Sequence, residues 1–125
     1  MMQFSLAPWR VLDDLHLSAV LAAVNTRQAL MPDLSRLFEH AARTGEPILR
    51  SLAYHFPGYE AVHDQFLLGE EILCAPILER GATTRLVVLP PGRWRDNDGS
   101  VTEGPAEIAL SVRRESLPFW RMIRD

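Results

Sequence analysis

The longest regular pattern in the chain runs from Asp14 to Thr44, where Leu17, Val20, Val24, Met31, Leu34 and Phe38 recur at three- and four-residue steps. That spacing draws one apolar stripe along a helix. A second stripe, Leu30, Leu34, Leu37 and Ala41, widens the apolar arc of the later turns and predicts burial on more than one side. Asp13 or Asp14 suits the N-cap, His40 and Arg43 suit the last turn, and Gly45 suits a left-handed stop. Pro32 either kinks one long helix or occupies the first turn of a second. Any fold of this chain must therefore cover an apolar helix on two sides.

Beyond Gly45 the periodicity changes. Pro47 bars further helix, and Ile48 to Leu52 reads as a short strand. Pro57-Gly58-Tyr59 is a turn, and residues 60–69 predict a short helix opened by Asp64 as N-cap and closed at Gly69. Asp64 has an alternative use in a contact with a neighbouring loop or with Arg50. Ile72 to Leu78 reads as a strand interrupted by Pro76, which points to an edge or a bulge. Thr83 to Leu89 is a stronger, β-branched strand. Residues 90–105 are polar and rich in Pro, Gly and Asp, so they read as turns, with weaker strands around Glu107 to Arg113 and Leu117 to Ile123. The fold class is α+β, helix first and strands after, with a division near residue 70.

At 125 residues the chain can bury one real core, and 47% hydrophobic with 23% charged residues is a globular composition. Its longest apolar runs fall far short of the roughly 20 residues of a spanning helix, so no membrane partner is expected. The opening residues lack the basic start of a secretory signal, which makes the cytoplasm the expected location. The net charge is −3 and neither half is basic, so no nucleic-acid partner is expected either. Every basic side chain is arginine, which removes lysine-based covalent chemistry. With a single cysteine, Cys74, there is no internal disulfide and no thiolate-rich metal site. Within an apolar strand, Cys74 reads as buried and unreactive.

The remaining candidates are sparse. His16, His40, His55 and His63 follow no metal-ligand spacing, and only a close approach of His55, His63 and Asp64 would make a catalytic group. Asp96 and Asp98 share a turn and most simply bond their own backbone. Trp9, Trp94 and Trp120 stand on three separate elements. No paired carboxylates, nucleophile elbow or phosphate cradle emerges from the spacing.

Several short stretches, in order, resemble a known family. These are "APWR" at 7–10, "NTRQALMPDLSRLF" at 25–38, "GEPILRSL" at 45–52, "DQFLLG" at 64–69, "ILCAPIL" at 72–78, "RGATTRLVVLPPGRW" at 80–94 and "LPFWR" at 117–121. Together they resemble the C-terminal part of glycoside hydrolase family 31, the α-glucosidase and α-xylosidase family. Ala7 stands where the family has Glu, and Asp33 where it usually has Tyr. The resemblance implies that residues 1–70 are the last helix and strand of a (β/α)8 barrel, and that residues 71–125 are an incomplete, β-sandwich-like proximal domain. A retaining glycosidase works with two carboxyl groups about 5–5.5 Å apart. In the family these lie upstream of everything matched here, and Asp13, Asp14, Asp33 and Asp64 match neither.

No catalytic, cofactor-binding or metal-binding residue is therefore expected in this chain, and the complete enzyme would need no external cofactor. Arg50 and Asp64 are the candidates for structural support of the site, Arg50 at the barrel mouth. The implied partners are an upstream barrel chain or a second copy, and carbohydrate only in the complete enzyme. The isolated chain is expected to be inactive. The alternative is a non-catalytic β-rich binding or oligomerisation module, with Trp94 and Trp120 as its contact residues.

Overall fold

The computed structural model describes residues 7–113 and 117–124. The opening residues 1–6, on which the reading of the missing signal partly rests, lie outside them. Helix α1 (Pro8–Val11) is a single turn, and α2 (Asp14–Thr44) is one unbroken helix that carries Pro32 in its interior. Asp13 caps α2 by accepting from the His16 backbone N–H at 2.8 Å, and Gly45 ends it at φ 77°, a left-handed stop that costs glycine nothing.

The strands are β1 (Leu49–Arg50), β2 (Phe66–Leu68), β3 (Ile72–Cys74), β4 (Thr84–Arg95), β5 (Val101–Ser111) and β6 (Phe119–Ile123). Among the described residues they form one six-stranded antiparallel sheet in the order β1-β2-β3-β6-β4-β5. The fold is α+β, as the sequence predicts. The sheet also runs without a break across residue 70, because Phe66 pairs with Cys74 and Leu68 with Ile72.

Two local expectations are corrected. The predicted short helix at residues 60–69 is absent; Phe66–Leu68 is strand β2, and Asp64 caps nothing. An alternating run with Leu67 fully buried between two half-buried neighbours fits the two-residue period of a strand. The stretch at 90–105, read as turns, is mostly sheet. β4 continues through Pro90, Pro91 and Gly92 to Arg95, and β5 starts at Val101. The ladder shifts register between Leu89 and Gly92, and that irregularity is where two prolines can sit without removing a needed N–H. Gly104 faces it. A Cβ there would lie 2.0 Å from the Pro90 carbonyl oxygen, so only glycine fits.

The core gathers Leu52, Leu67, Leu73, Ala75, Val87, Leu89, Trp94 and Trp120, drawn from β2, β3, β4, β6 and the turns around them. The Trp94 indole N–H donates to the Pro90 carbonyl at 2.8 Å, which satisfies the one polar atom of the largest buried side chain. Gln65 is buried and acts as a substitute strand. Its amide accepts from the Val88 N–H and donates to the Val88 carbonyl, both at 2.8 Å.

α2 contributes nothing fully buried, although all of it is described. It attaches to the sheet by Leu37, which fills the space where a Cβ on Gly69 would be, and by Asp33. Asp33 accepts from Arg121 of β6 at 3.0 and 2.7 Å. These hydrogen bonds, and then the Arg121 and Arg36 charges, hold the Asp33 carboxyl below its ordinary pKa despite partial burial. Replacing Asp33 by Asn should therefore cost about 1 kcal/mol near neutral pH, a value reduced for the partial exposure of Arg121. A lowered folded pKa gives stability that is present above the unfolded value of about 4 and lost as pH falls through the folded one. Urea titrations across the acid range should show the D33N penalty shrinking toward zero there.

Candidate functional site

Among the described residues, the densest polar arrangement surrounds Arg50, at the end of β1 and the start of the turn that follows. Pro47 breaks the chain away from α2, and β1 pairs with β2, Arg50 opposite Leu67. This directs the Arg50 side chain into the protein, where only 2% of it is exposed. A buried guanidinium needs partners for all its donors. Nε donates to the Pro47 carbonyl at 2.7 Å, Nη1 to His55 Nε2 at 2.8 Å and Nη2 to Glu46 Oε2 at 2.9 Å. Its Cζ also lies 5.1 Å from the centre of the Tyr54 ring, within cation–π range. The accepting Nε2 requires that His55 be neutral at that nitrogen.

The network reaches outward on both sides. Glu46 Oε2 is also 2.9 Å from His40 Nε2, which ties the last turns of α2 to the segment before β1. Glu70 lies 4.0 Å from Arg50 Nη1 and accepts from Arg124 at 2.5 Å. Both carboxyls are held below their ordinary pKa. For Glu46 the bond to His40 is the main cause, with the Arg50 charge adding to it; for Glu70 it is the bond from Arg124. A general acid for glycoside cleavage needs the opposite, a carboxyl kept protonated near neutral pH. Chemically, the cluster fixes the turn from Ser51 to His55 in place, and neither of its carboxyls is kept protonated as a general acid must be.

The other candidates are dispersed. Asp64 pairs with Arg85 of β4, whose Nη1 donates to its carboxylate and Nη2 to its backbone carbonyl, the latter at 2.7 Å. It makes no bond to Arg50. His55 faces Arg50, Asp64 faces Arg85 and His63 is exposed, so the three form no common group. Asp96 accepts from the backbone N–H of Asp98 and of Ser100, each at 2.9 Å, a turn bonding itself. Trp94 and Trp120 belong to the same buried core, at 0% and 2% exposure; Trp9 is exposed on α1. Cys74 is part-buried, and desolvation pushes its thiol up to about 11. No group of three or more His, Cys, Asp or Glu capable of holding a metal occurs among the described residues. Nor is any helix there long and apolar enough to cross a membrane.

The network thus braces a strand end, with both of its carboxyls bound to arginine. The family model for the glycosyl hydrolase family 31 C-terminal domain matches residues 45–121. The chain belongs to glycosyl hydrolase family 31. It is 38% identical over 103 residues to the myogenesis-regulating glycosidase of Mus musculus, covering 80% of this chain and 14% of that protein. It is 35% identical over 101 residues to alpha-glucosidase 2 of Bacillus thermoamyloliquefaciens, covering 78% and 13%. Among solved structures, a family 31 alpha-xylosidase from a soil metagenome, complexed with xylose, superimposes with a TM-score of 0.86 at 29% identity. That match covers 98% of this chain and 19% of the other. The chain thus spans about one-seventh of the length of these curated relatives.

What sequence reasoning missed in this family 31 segment is the set of partners. Arg50 was singled out, but Glu46, His40, His55 and Glu70 were not joined to it, although Glu46 stands four residues before Arg50 and His55 five after. Arg85 gave no signal of its own. Truncating Arg50 to Ala should cost about 1–2 kcal/mol in urea unfolding, since it removes a buried side chain and leaves the Pro47 carbonyl and His55 Nε2 without their donor. Arg50→Lys should recover only part, because an ammonium cannot replace the three directed bonds. At pH 8 the Cys74 thiol should react with a disulfide reagent far more slowly than in the urea-unfolded chain, whose thiol has a pKa near 8.5.

Proposed function

We propose that this chain is a structural segment of a family 31 glycoside hydrolase and is inactive by itself. In the complete enzyme, residues 1–70 supply the last helix and strand of a (β/α)8 barrel and residues 71–125 part of the proximal β-domain. The complete enzyme would hydrolyse terminal α-O-glycosidic bonds, the class of reaction that the names of the alpha-glucosidase and alpha-xylosidase relatives imply. The share of those relatives that the chain covers supports a segment rather than a whole catalyst.

The observation that carries this reading is that the structural carboxylates are committed to arginines. Asp33 is bound to Arg121, Glu46 to Arg50, Asp64 to Arg85 and Glu70 to Arg124. Each of these carboxyls is held below its ordinary pKa, so each stays ionised where glycoside cleavage needs one of a pair protonated. The contribution to the enzyme is mechanical. Arg50 locks the turn after β1, the level at which a barrel presents its active-site loops. The apolar side chains of α2 supply a surface for the rest of the barrel. As a binding module, the chain would need contact residues other than Trp94 and Trp120, which the core consumes.

Incubated with p-nitrophenyl α-glucoside and α-xyloside, the purified chain should release no p-nitrophenol above the buffer blank. Turnover that follows the 14.1 kDa chain through successive columns would overturn the proposal.

A further inference from the structure

The two outer edges of the sheet, open among the described residues, differ greatly in length. β1 presents two residues, whereas β5 runs for eleven, Val101–Ser111, along β4. A two-residue edge gives an incoming strand little to bind. An edge about twice the usual strand length is a template for strand addition. The fold cannot dispense with it, because Ile108 and Leu110 of β5 pack against the core.

Three contacts fix which residues of β5 turn their backbone outward. In an antiparallel ladder, bonded and non-bonded pairs alternate, and a residue of a non-bonded pair points its N–H and C=O away from the partner strand. The Val112 N–H donates to the Thr83 carbonyl at 2.9 Å, so the bonded pairs fall on Leu110, Ile108 and Ala106. Past the register shift the Asp96 N–H donates to the Ser100 carbonyl at 3.0 Å, which places bonded pairs at Thr102 and Gly104. Gln65 agrees from the other side of β4. It takes both backbone bonds of Val88, so Glu107, opposite Val88, receives none from β4. The outward residues are therefore Val101, Glu103, Pro105, Glu107, Ala109 and Ser111, and all six are exposed.

We infer that Pro105, flanked by Glu103 and Glu107, shuts the β5 edge against an added strand, from a copy of this chain or from any other protein. Near the middle of the edge, at a position where an N–H would face outward, proline has none to give. Its ring stands where the incoming carbonyl would have to approach. The pieces left on either side hold too few outward residues to keep a strand by themselves. Two β5 strands paired antiparallel about Pro105 would also set Glu103 of each opposite Glu107 of the other, like charges directly across. The long strand is thus kept for the core while its free side is closed to partners.

Three variants separate closure of the edge from a local need for proline opposite the irregularity in β4. Pro105→Thr should assemble. Sedimentation velocity over a rising concentration series should give a mean mass at least twice that of the unaltered 14.1 kDa chain at the same concentration, with thioflavin T fluorescence up severalfold. Ala109→Pro alone should keep the native circular dichroism, since the Ala109 N–H makes no bond to β4. Combined with Pro105→Thr, it should return the mass to that of the unaltered chain, because the block has only moved to another outward position. A folded Pro105→Thr protein with the mass of the unaltered chain overturns the inference. Unfolding by Ala109→Pro alone does so too, because that N–H would then belong to the ladder. If the double variant assembles or unfolds as Pro105→Thr does, the proline serves β4 and not the edge, and the inference falls.

Discussion

Five residues at the far end of the chain, Phe119–Ile123, hold the sheet together. β6 lies between β3 and β4, pairing Leu73 with Trp120 on one side and Trp94 with Met122 on the other. Without it, β1-β2-β3 and β4-β5 would be two small sheets with facing open edges, neither able to bury a core alone. Neighbouring bonds extend the seam. The Ala75 N–H donates to the Pro118 carbonyl at 3.1 Å and the Met122 N–H to the Glu71 carbonyl at 2.7 Å. Arg121 then carries the connection to α2 through Asp33. The last strand of the chain is thus the first requirement of everything before it, a long-range closure with its entropic cost. Gln65, reaching Val88 across the same gap, reinforces it.

The ends and length of α2 were legible because they are local properties. Asp13 and Gly45 announce the caps, and the three-four spacing announces the helix whatever it packs on. Strands set by distant partners were less so. "DQFLLG" carries helix-opening chemistry in Asp64, but Asp64 is taken by Arg85 and Gln65 by Val88, each more than twenty residues away. At 90–105 every local rule points to turns: three prolines, three glycines and three acids. What overrules them is the register shift at Leu89, which needs those residue types in that place, and Gly104 lying against Pro90. The indole of Trp94 anchors the result. The motif reading identified the stretch correctly while the conformational reading missed it, because motifs record tertiary constraints that local propensities do not contain.

The absence of lysine takes on physical meaning once the side chains are placed. Arg36, Arg50, Arg85, Arg121 and Arg124 each bind a carboxylate; Arg121 does so through two bonds, and Arg50 and Arg85 each add a bond to a backbone carbonyl. A planar guanidinium can bind a carboxylate and a backbone carbonyl at once, as Arg85 does with Asp64. This lets short strands with little hydrophobic area be positioned by polar contacts. The same bonds that stabilise the fold lower the pKa of their acids, so structural use and acid catalysis compete for each carboxyl. Asp33 shows the consequence: the family resemblance places a tyrosine there, and this chain has an acid whose whole capacity goes to Arg121 and Arg36.

Under the proposed function, that competition accounts for how so small a part of an enzyme can be well specified and yet leave the chemistry to the rest of it. A retaining glycosidase divides its work between a few carboxyls with tuned pKa values and a scaffold that keeps them about 5 Å apart. Tuning one carboxyl upward means withholding positive partners from it, which costs stability at that point. The remainder must offset the cost, and a segment dense in arginine pairs with a buried guanidinium at a strand end is built to do so. Its outer helix face, left apolar on the side away from the sheet, is the counterpart of the same division of labour. In the proposed enzyme, stability generated inside the segment is handed on to the barrel through that face.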